Sequence, residues 1–176
     1  MGHYHAEVLI PSKENVEEQV EEIMSPYYEE NEDEEAIKLW DWYMIGGRWK
    51  GAHDPTYKQE EDPDHIIPCR YCNATGLRED MGHWEDGKKV FKDEWAEKCN
   101  GCNVCHGTGK ELTWPTEWKS HPKDTISINE IPEGLTCYTL ILPGKVLEDI
   151  EKTLVKKLLE ENGIDEGFLV TVDYHC

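Results

Sequence analysis

His3-Tyr4-His5-Ala6-Glu7-Val8-Leu9-Ile10, read together with Phe168-Leu169-Val170-Thr171-Val172-Asp173-Tyr174-His175, decides the fold. Both stretches alternate with a period of two, the signature of a β-strand with one buried face. In the first, Tyr4, Ala6, Val8 and Ile10 share one side while His3, His5, Glu7 and Leu9 share the other. In the second, Phe168, Val170, Val172 and Tyr174 alternate with Leu169, Thr171, Asp173 and His175.

Working inward from the first strand, Pro11 ends it and Ser12 offers a helix N-cap. From Glu14 to Met24 the apolar residues Val16, Val20, Ile23 and Met24 fall at helical spacing, and the opposite face is nearly all glutamate. Ser25-Pro26 closes that helix. Working inward from the last strand, Val146 to Glu161 reads as a long helix with Val146, Leu147, Ile150, Leu154, Val155, Leu158 and Leu159 in one stripe. Asn162-Gly163 is its stop signal. Before it, Thr136 to Leu142 is a short apolar strand ended by Pro143-Gly144.

The expected fold is therefore α+β: a small sheet with two helices on one face, of ferredoxin-like type, interrupted by a zinc-knuckle insertion. Residues 1–62 and 125–176 would form the α+β domain from both ends of the chain, and residues 63–124 the inserted zinc-binding module.

The chain has 176 residues, with 18 basic against 38 acidic side chains and a formal net charge of −20. That length buries an adequate core without disulfides. The charge disfavours direct binding to nucleic acid, which needs clustered Lys and Arg to displace counterions, and it disfavours anionic membranes. The N-terminal residues lack the basic region and long apolar core of a signal peptide, and no apolar run is long enough to span a bilayer. A cytoplasmic protein is expected, in the host cytoplasm if phage encoded. The acidity is concentrated: Glu29 to Glu35 holds six acids in seven residues. After four intervening residues comes Trp40-Asp41-Trp42-Tyr43-Met44-Ile45-Gly46-Gly47-Arg48-Trp49, whose aromatic rings must pack on something, most simply a face of the sheet.

Seven cysteines are present, and four of them form two C-x-x-C pairs. The half-motifs are Cys69-Arg70-Tyr71-Cys72-Asn73-Ala74-Thr75-Gly76 and Cys102-Asn103-Val104-Cys105-His106-Gly107-Thr108-Gly109. Each puts two thiolates on one tight turn, and four thiolates from two such turns make the closed tetrahedral site that zinc favours. Cys69, Cys72, Cys102 and Cys105 are the expected ligands of one structural zinc. Cys99 lies close enough to compete, and Cys102-x-x-Cys105-His106 also spells the attachment motif for c-type haem. Haem attachment belongs outside the cytoplasm, which leaves His106 as a variable residue of the zinc turn.

These half-motifs resemble the C-x-x-C-x-G-x-G repeats of the DnaJ-type cysteine-rich zinc domain, in which paired repeats share a zinc. The likeness covers Cys69, Cys72, Gly76, Cys102, Cys105, Gly107 and Gly109, with Ala74 standing where a glycine is expected. Two repeats rather than four imply one zinc, and no J domain accompanies them. The wider chain resembles a group of small phage and bacterial proteins through Trp40-Asp41-Trp42-Tyr43, Ile45-Gly46-Gly47-Arg48-Trp49, the two half-motifs and Val172-Asp173-Tyr174-His175. That group brings no established activity; it implies a viral or mobile-element origin.

A second constellation sits at the termini. If the first and last strands are antiparallel neighbours, His3 and His5 lie near Asp173 and His175. Three imidazoles and a carboxylate can bind a divalent ion or act as a general acid–base pair, roofed by the Trp40–Trp49 segment. The alternative is that they decorate a solvated sheet face. Two functional classes follow. The first is a non-enzymatic, zinc-stapled acidic protein that engages a protein partner, with a nucleic-acid-binding host protein deceived by phosphate-like carboxylates as the candidate. The second is a metal-dependent hydrolase using His3, His5, Asp173 and His175. A lesser reading, the zinc module as a peptide or RNA binder, is weakened because the acids between the half-motifs cancel Lys88, Lys89, Lys92 and Lys98. The binding-protein reading leads, because the motif with defined spacing is a structural one.

Overall fold

The computed structural model describes residues 2–115 and 118–176, and for 149–153 the backbone only. In chain order the regular elements are β1 (His3–Ile10), α1 (Val16–Met24), β2 (Trp42–Ile45), β3 (Ile66–Pro68), β4 (Gly82–Glu85) and β5 (Lys88–Phe91). They continue with α2 (Glu94–Lys98), β6 (Lys110–Leu112), β7 (Thr125–Ser127), β8 (Thr136–Leu142), β9 (Lys145–Leu154), α3 (Val155–Glu161) and β10 (Phe168–His175). The chain divides into two units, residues 1–57 with 119–176, and residues 58–118. The divisions fall a few residues before the 62/63 and 124/125 boundaries expected from composition.

The first unit is α+β, built on a mixed sheet in the order β2-β10-β1-β8-β9, with β7 also pairing with β10. β1 and β10 are antiparallel neighbours along their whole length, from His3 opposite His175 to Ile10 opposite Phe168. β8 lies parallel to β1, with Ala6 opposite Thr139 and Val8 opposite Ile141. A ferredoxin-like sheet is antiparallel throughout, so this parallel pair corrects that expectation.

The two helices also lie on opposite faces of the sheet rather than on one. Val20 and Met24 of α1 pack with Ala6, Val8, Ile10, Val170 and Val172. Val155 and Leu159 of α3 pack with Leu140, Leu142 and Leu169. The reason is in the strands themselves. Leu9, Leu169 and Leu140 make one end of the second face as apolar as the first, and an apolar surface of that size needs a cover. The other end of that face carries His3, His5, Glu7, Thr171, Asp173 and His175.

The expected helix over 146–161 is a strand followed by a two-turn helix. Pro143 and Gly144, with φ +73° at the glycine, have the residue types of a tight turn with a left-handed third position. That turn sets Val146 opposite Ile141 and Leu147 opposite Leu140. Val146 then joins the core under α1 while its neighbour Leu147 joins the core under α3. Consecutive residues buried on opposite faces are possible in a strand and not in a helix.

The aromatic segment forms β2, which pairs with β10 at the sheet edge, with Trp42 opposite His175 and Ile45 opposite Val172. Trp40 turns toward the α1 side, donating its indole N–H to the Met24 carbonyl at 2.9 Å and meeting Tyr43 edge-on. Trp49 goes to the other side and stacks on His5, ring centroids 5.5 Å apart. The segment therefore packs against both faces, where the sequence suggested one.

In the second unit, β3 pairs with β6 and β4 pairs with β5. α2 is short and capped by the Asp93 carboxylate, which accepts the Ala96 N–H at 2.8 Å. Among the described residues no helix is long and apolar enough to cross a membrane.

Candidate metal centre and the polar face of the sheet

In the second unit the two half-motifs fold alike. Thr75 N–H donates to the Cys72 carbonyl at 3.0 Å, and Thr108 N–H donates to the Cys105 carbonyl at 3.1 Å. The Thr75 and Thr108 hydroxyls donate to the Cys72 and Cys105 carbonyls. Gly76 N–H points at the Cys72 sulfur at 3.2 Å, and Gly109 N–H at the Cys105 sulfur at 3.3 Å. Asn73 and His106 both take φ near +50°, and Ala74 takes +61° where its counterpart Gly107 takes +82°. The departure from the glycine pattern is thus absorbed by a left-handed alanine. His106 is exposed and holds a turn position, which accounts for it without haem.

The loops interlock through the final glycines. A side chain on Gly76 would collide with the Gly107 carbonyl, and one on Gly109 with the Ala74 carbonyl. This close approach brings Cys69 Sγ within 3.9 Å of Cys102 Sγ, and Cys72 Sγ within 3.7 Å of Cys105 Sγ. All four donor atoms lie within 4.8 Å of one another, and all four residues are buried. Sulfurs of a tetrahedral zinc site with bonds near 2.3 Å stand about 3.8 Å apart, so the donor set fits such an ion. Burial pushes the Cys69 thiol up to about 12. Burial also opposes ionisation at Cys105, but N–H groups of Gly109 and Gly107 and the neighbouring thiols bring it down to about 7. A cluster of this kind could hold a metal ion, and among the described residues no other group of three or more His, Cys, Asp and Glu converges in this way. Cys99 packs instead with Met81, Ala96 and Phe91.

The polar face of the first unit has a different character. Glu7 is completely buried. Its Oε1 accepts from His5 Nε2 at 2.7 Å and from the Thr171 hydroxyl at 3.1 Å, and its Oε2 accepts from His53 Nε2 at 2.9 Å. His53 Nδ1 donates to the Lys123 carbonyl at 2.7 Å. A carbonyl can only accept, so with an ionised Glu7 the His53 ring carries both protons and forms a buried ion pair. Burial alone would raise the Glu7 carboxyl, but the adjacent His53 charge and the hydrogen bonds from His5 and His53 bring it down to about 2. Burial opposes the charge on His53 too, and the Glu7 carboxylate with the Lys123 carbonyl overcomes it, raising that ring above its ordinary value.

Of the residues expected at the termini, His3, Asp173 and His175 come together and His5 is drawn away toward Glu7 and Trp49. His3 Nδ1 donates to Asp173 Oδ1 at 2.8 Å. Asp173 is fully buried and its Oδ2 accepts the Arg48 N–H at 3.0 Å. His175 Nδ1 donates to the Asp41 carboxylate at 2.8 and 3.0 Å. The His3 and His175 rings are 5.1 Å apart, centroid to centroid. His53, Asp41 and Glu7 were not anticipated as partners. The signal available in sequence was Glu7 itself, a carboxylate on a strand that has to be covered and therefore needs a cation.

No family model matches the chain, the DnaJ-type module included. No solved structure matches it either. Over 49 residues the chain is 39% identical to the prophage antitermination protein Q homolog of Escherichia coli strain K12. That stretch is 26% of this chain and 19% of the relative, so the match spans about a fifth of the relative's length. The likeness fits a phage origin.

Proposed function

We propose that this chain is a non-enzymatic, zinc-stapled binding protein of phage or mobile-element origin, working in the host cytoplasm. The observation that carries the reading is the buried Cys69/Cys72/Cys102/Cys105 cluster. Four protein thiolates would fill the coordination sphere of a zinc ion and leave no position for a substrate, the arrangement of a structural site. A reducing compartment would keep those thiols available to the metal.

The proposed partner is a basic, nucleic-acid-binding host protein. Support comes from charge: Glu29, Glu30, Glu32, Asp33, Glu34 and Glu35 are all exposed, as are Glu17, Glu18, Glu21 and Glu22 of α1. Rows of carboxylates present a field like that of a phosphate backbone. The relative's name, an antitermination protein, makes the transcribing polymerase the first partner to test. The experiment measures zinc per chain by native mass spectrometry and binding to purified E. coli RNA polymerase at low and high salt. One zinc with binding that salt and competitor DNA both weaken is the expected result. Absence of zinc removes the staple, and absence of salt-sensitive binding removes the acidic surface as the means of recognition.

A further inference from the structure

We propose that His3 and His175 form a second metal site, independent of the cysteine cluster, that takes a nitrogen-preferring transition-metal dication such as Ni2+ through their Nε2 atoms. The site lies at one corner of the sheet of the first unit. His3 and His175 are direct neighbours across the β1–β10 pair, and Trp42 of β2 is the next residue in the same row. The Trp42 ring stands edge-on to His3, centroids 5.8 Å apart.

Each imidazole has its Nδ1 committed to a carboxylate, His3 to Asp173 and His175 to Asp41. A carboxylate on Nδ1 holds the proton there and leaves Nε2 with its lone pair free, the arrangement that fixes the ring of a metal-binding histidine and raises its basicity. Neither Nε2 has a hydrogen-bond partner among the described residues, and neither is among the buried polar atoms left unpaired. Both side chains keep about a quarter of their surface exposed, 23% for His3 and 24% for His175. Each ring therefore keeps one nitrogen unpaired among the described residues, and the two rings stand side by side, centroids 5.1 Å apart, partly open to solvent.

The support beneath them is rigid. Asp173 is immobilised by the Arg48 N–H and by Gly47, whose α-carbon lies so close that a methyl group there would overlap the Asp173 side chain. Asp41 is tied to the same strand twice, through its carboxylate and through its N–H to the His175 carbonyl at 3.0 Å. Asp41 and Asp173 act as positioning residues. With their oxygens turned to imidazole N–H groups, the donors offered are nitrogens, which suit nickel, copper and zinc rather than magnesium or calcium. Two protein ligands leave further coordination positions to water or to a second molecule.

The test uses the full chain with its cysteine cluster already loaded with zinc, titrated with Ni2+ by calorimetry and read in parallel by native mass spectrometry. The expected result is one nickel per chain with zinc retained. His175→Ala and His3→Ala each abolish it, and His83→Ala, at an exposed histidine of the other unit, leaves it unchanged. Asp41→Asn weakens nickel binding by about tenfold without changing the stoichiometry, the size expected for loss of a carboxylate behind a ligand. His175→Gln, which keeps a hydrogen-bonding side chain opposite Asp41, serves if circular dichroism shows an alanine variant unfolded. No nickel uptake by the wild-type chain, or uptake that persists in folded His175→Ala or His175→Gln, overturns the proposal. Because zinc is counted in the same spectrum, that failure is distinct from failure of the cysteine staple.

Discussion

Glu7 and His53, 46 residues apart, hydrogen-bond at 2.9 Å with neither side chain exposed to solvent. Stability should follow their ionisation. Glu7, lowered from 4.5 to about 2, contributes stability that is full above its unfolded value and lost as pH falls through 2. His53, raised above 6.5, contributes stability that is full below its unfolded value and lost as pH rises through its folded one. The pair is therefore most stabilising between about pH 4.5 and 6.5, the interval between the unfolded values. Urea denaturation across pH 3 to 9 should show that maximum in the wild type. Glu7→Gln should cost roughly 3 kcal/mol near pH 5.5, because it leaves a buried imidazolium without its counter-charge. An unchanged midpoint in Glu7→Gln would show that the pair is not ionised.

Gly47 and Gly163 both adopt positive φ, +55° and +68°, but in different surroundings. A β-carbon at Gly47 would overlap Asp173, whereas nothing lies within 4 Å of one at Gly163. Gly163→Ala should therefore cost only the backbone strain, about 1 kcal/mol. Gly47→Ala should cost roughly 3 kcal/mol, since overpacking against a buried carboxylate adds to that strain. Chemical denaturation of the two variants side by side gives the comparison, and equal costs would mean that the contact with Asp173 is looser than described.

That both terminal stretches are strands was legible because each carries a clean period of two; their antiparallel pairing stood only as a condition, which the register of His3 opposite His175 meets. The clustering of Cys69, Cys72, Cys102 and Cys105 was legible because they form two local pairs at fixed spacing. Two features were not. Lys145–Leu154 carries a helical stripe, and only the turn at Pro143-Gly144, which delivers Val146 and Leu147 to opposite faces, makes it a strand. Tertiary pairing overrode local periodicity there. His53 stands in a Pro- and Asp-containing stretch that reads as a linker, and its role depends on a carboxylate 46 residues earlier. Nothing in its immediate neighbours announces a buried histidine.

The exposed acids of the first unit allow a test of recognition that leaves the core alone. Glu22, Glu29, Glu32 and Glu34 are all exposed. Converting all four to lysine should change stability by only a few tenths of a kcal/mol per site, as is usual for exposed positions. If carboxylates steer a basic partner, the association rate should fall by about tenfold or more, and most at low ionic strength. Stopped-flow or surface-binding kinetics at two salt concentrations reads this directly. A variant that associates as fast as the wild type would move the contact surface elsewhere on the molecule.

If the cysteine cluster holds zinc as proposed, removing the metal should act on residues 58–118 in particular. That segment has short strands, a five-residue helix and an apolar core composed largely of the four cysteines and the small Met81, Ala96 and Cys99 group. A unit of that size with so little apolar burial would depend on such a staple, and structural zinc contributes on the order of 10 kcal/mol to folding in comparable small modules. Cys69→Ser and Cys102→Ser should each lose the zinc, and hydrogen exchange should show the amides of Ile66, Ile67 and residues 110–112 unprotected. Amides of β1 and β10, held by a separate core with Val8, Val170 and Val172 fully buried, should stay protected. Chelation of the wild-type protein should reproduce the cysteine variants, and adding back zinc should reverse it. Full protection of both strands in metal-free protein would show that the cluster is a cysteine core and not a metal site.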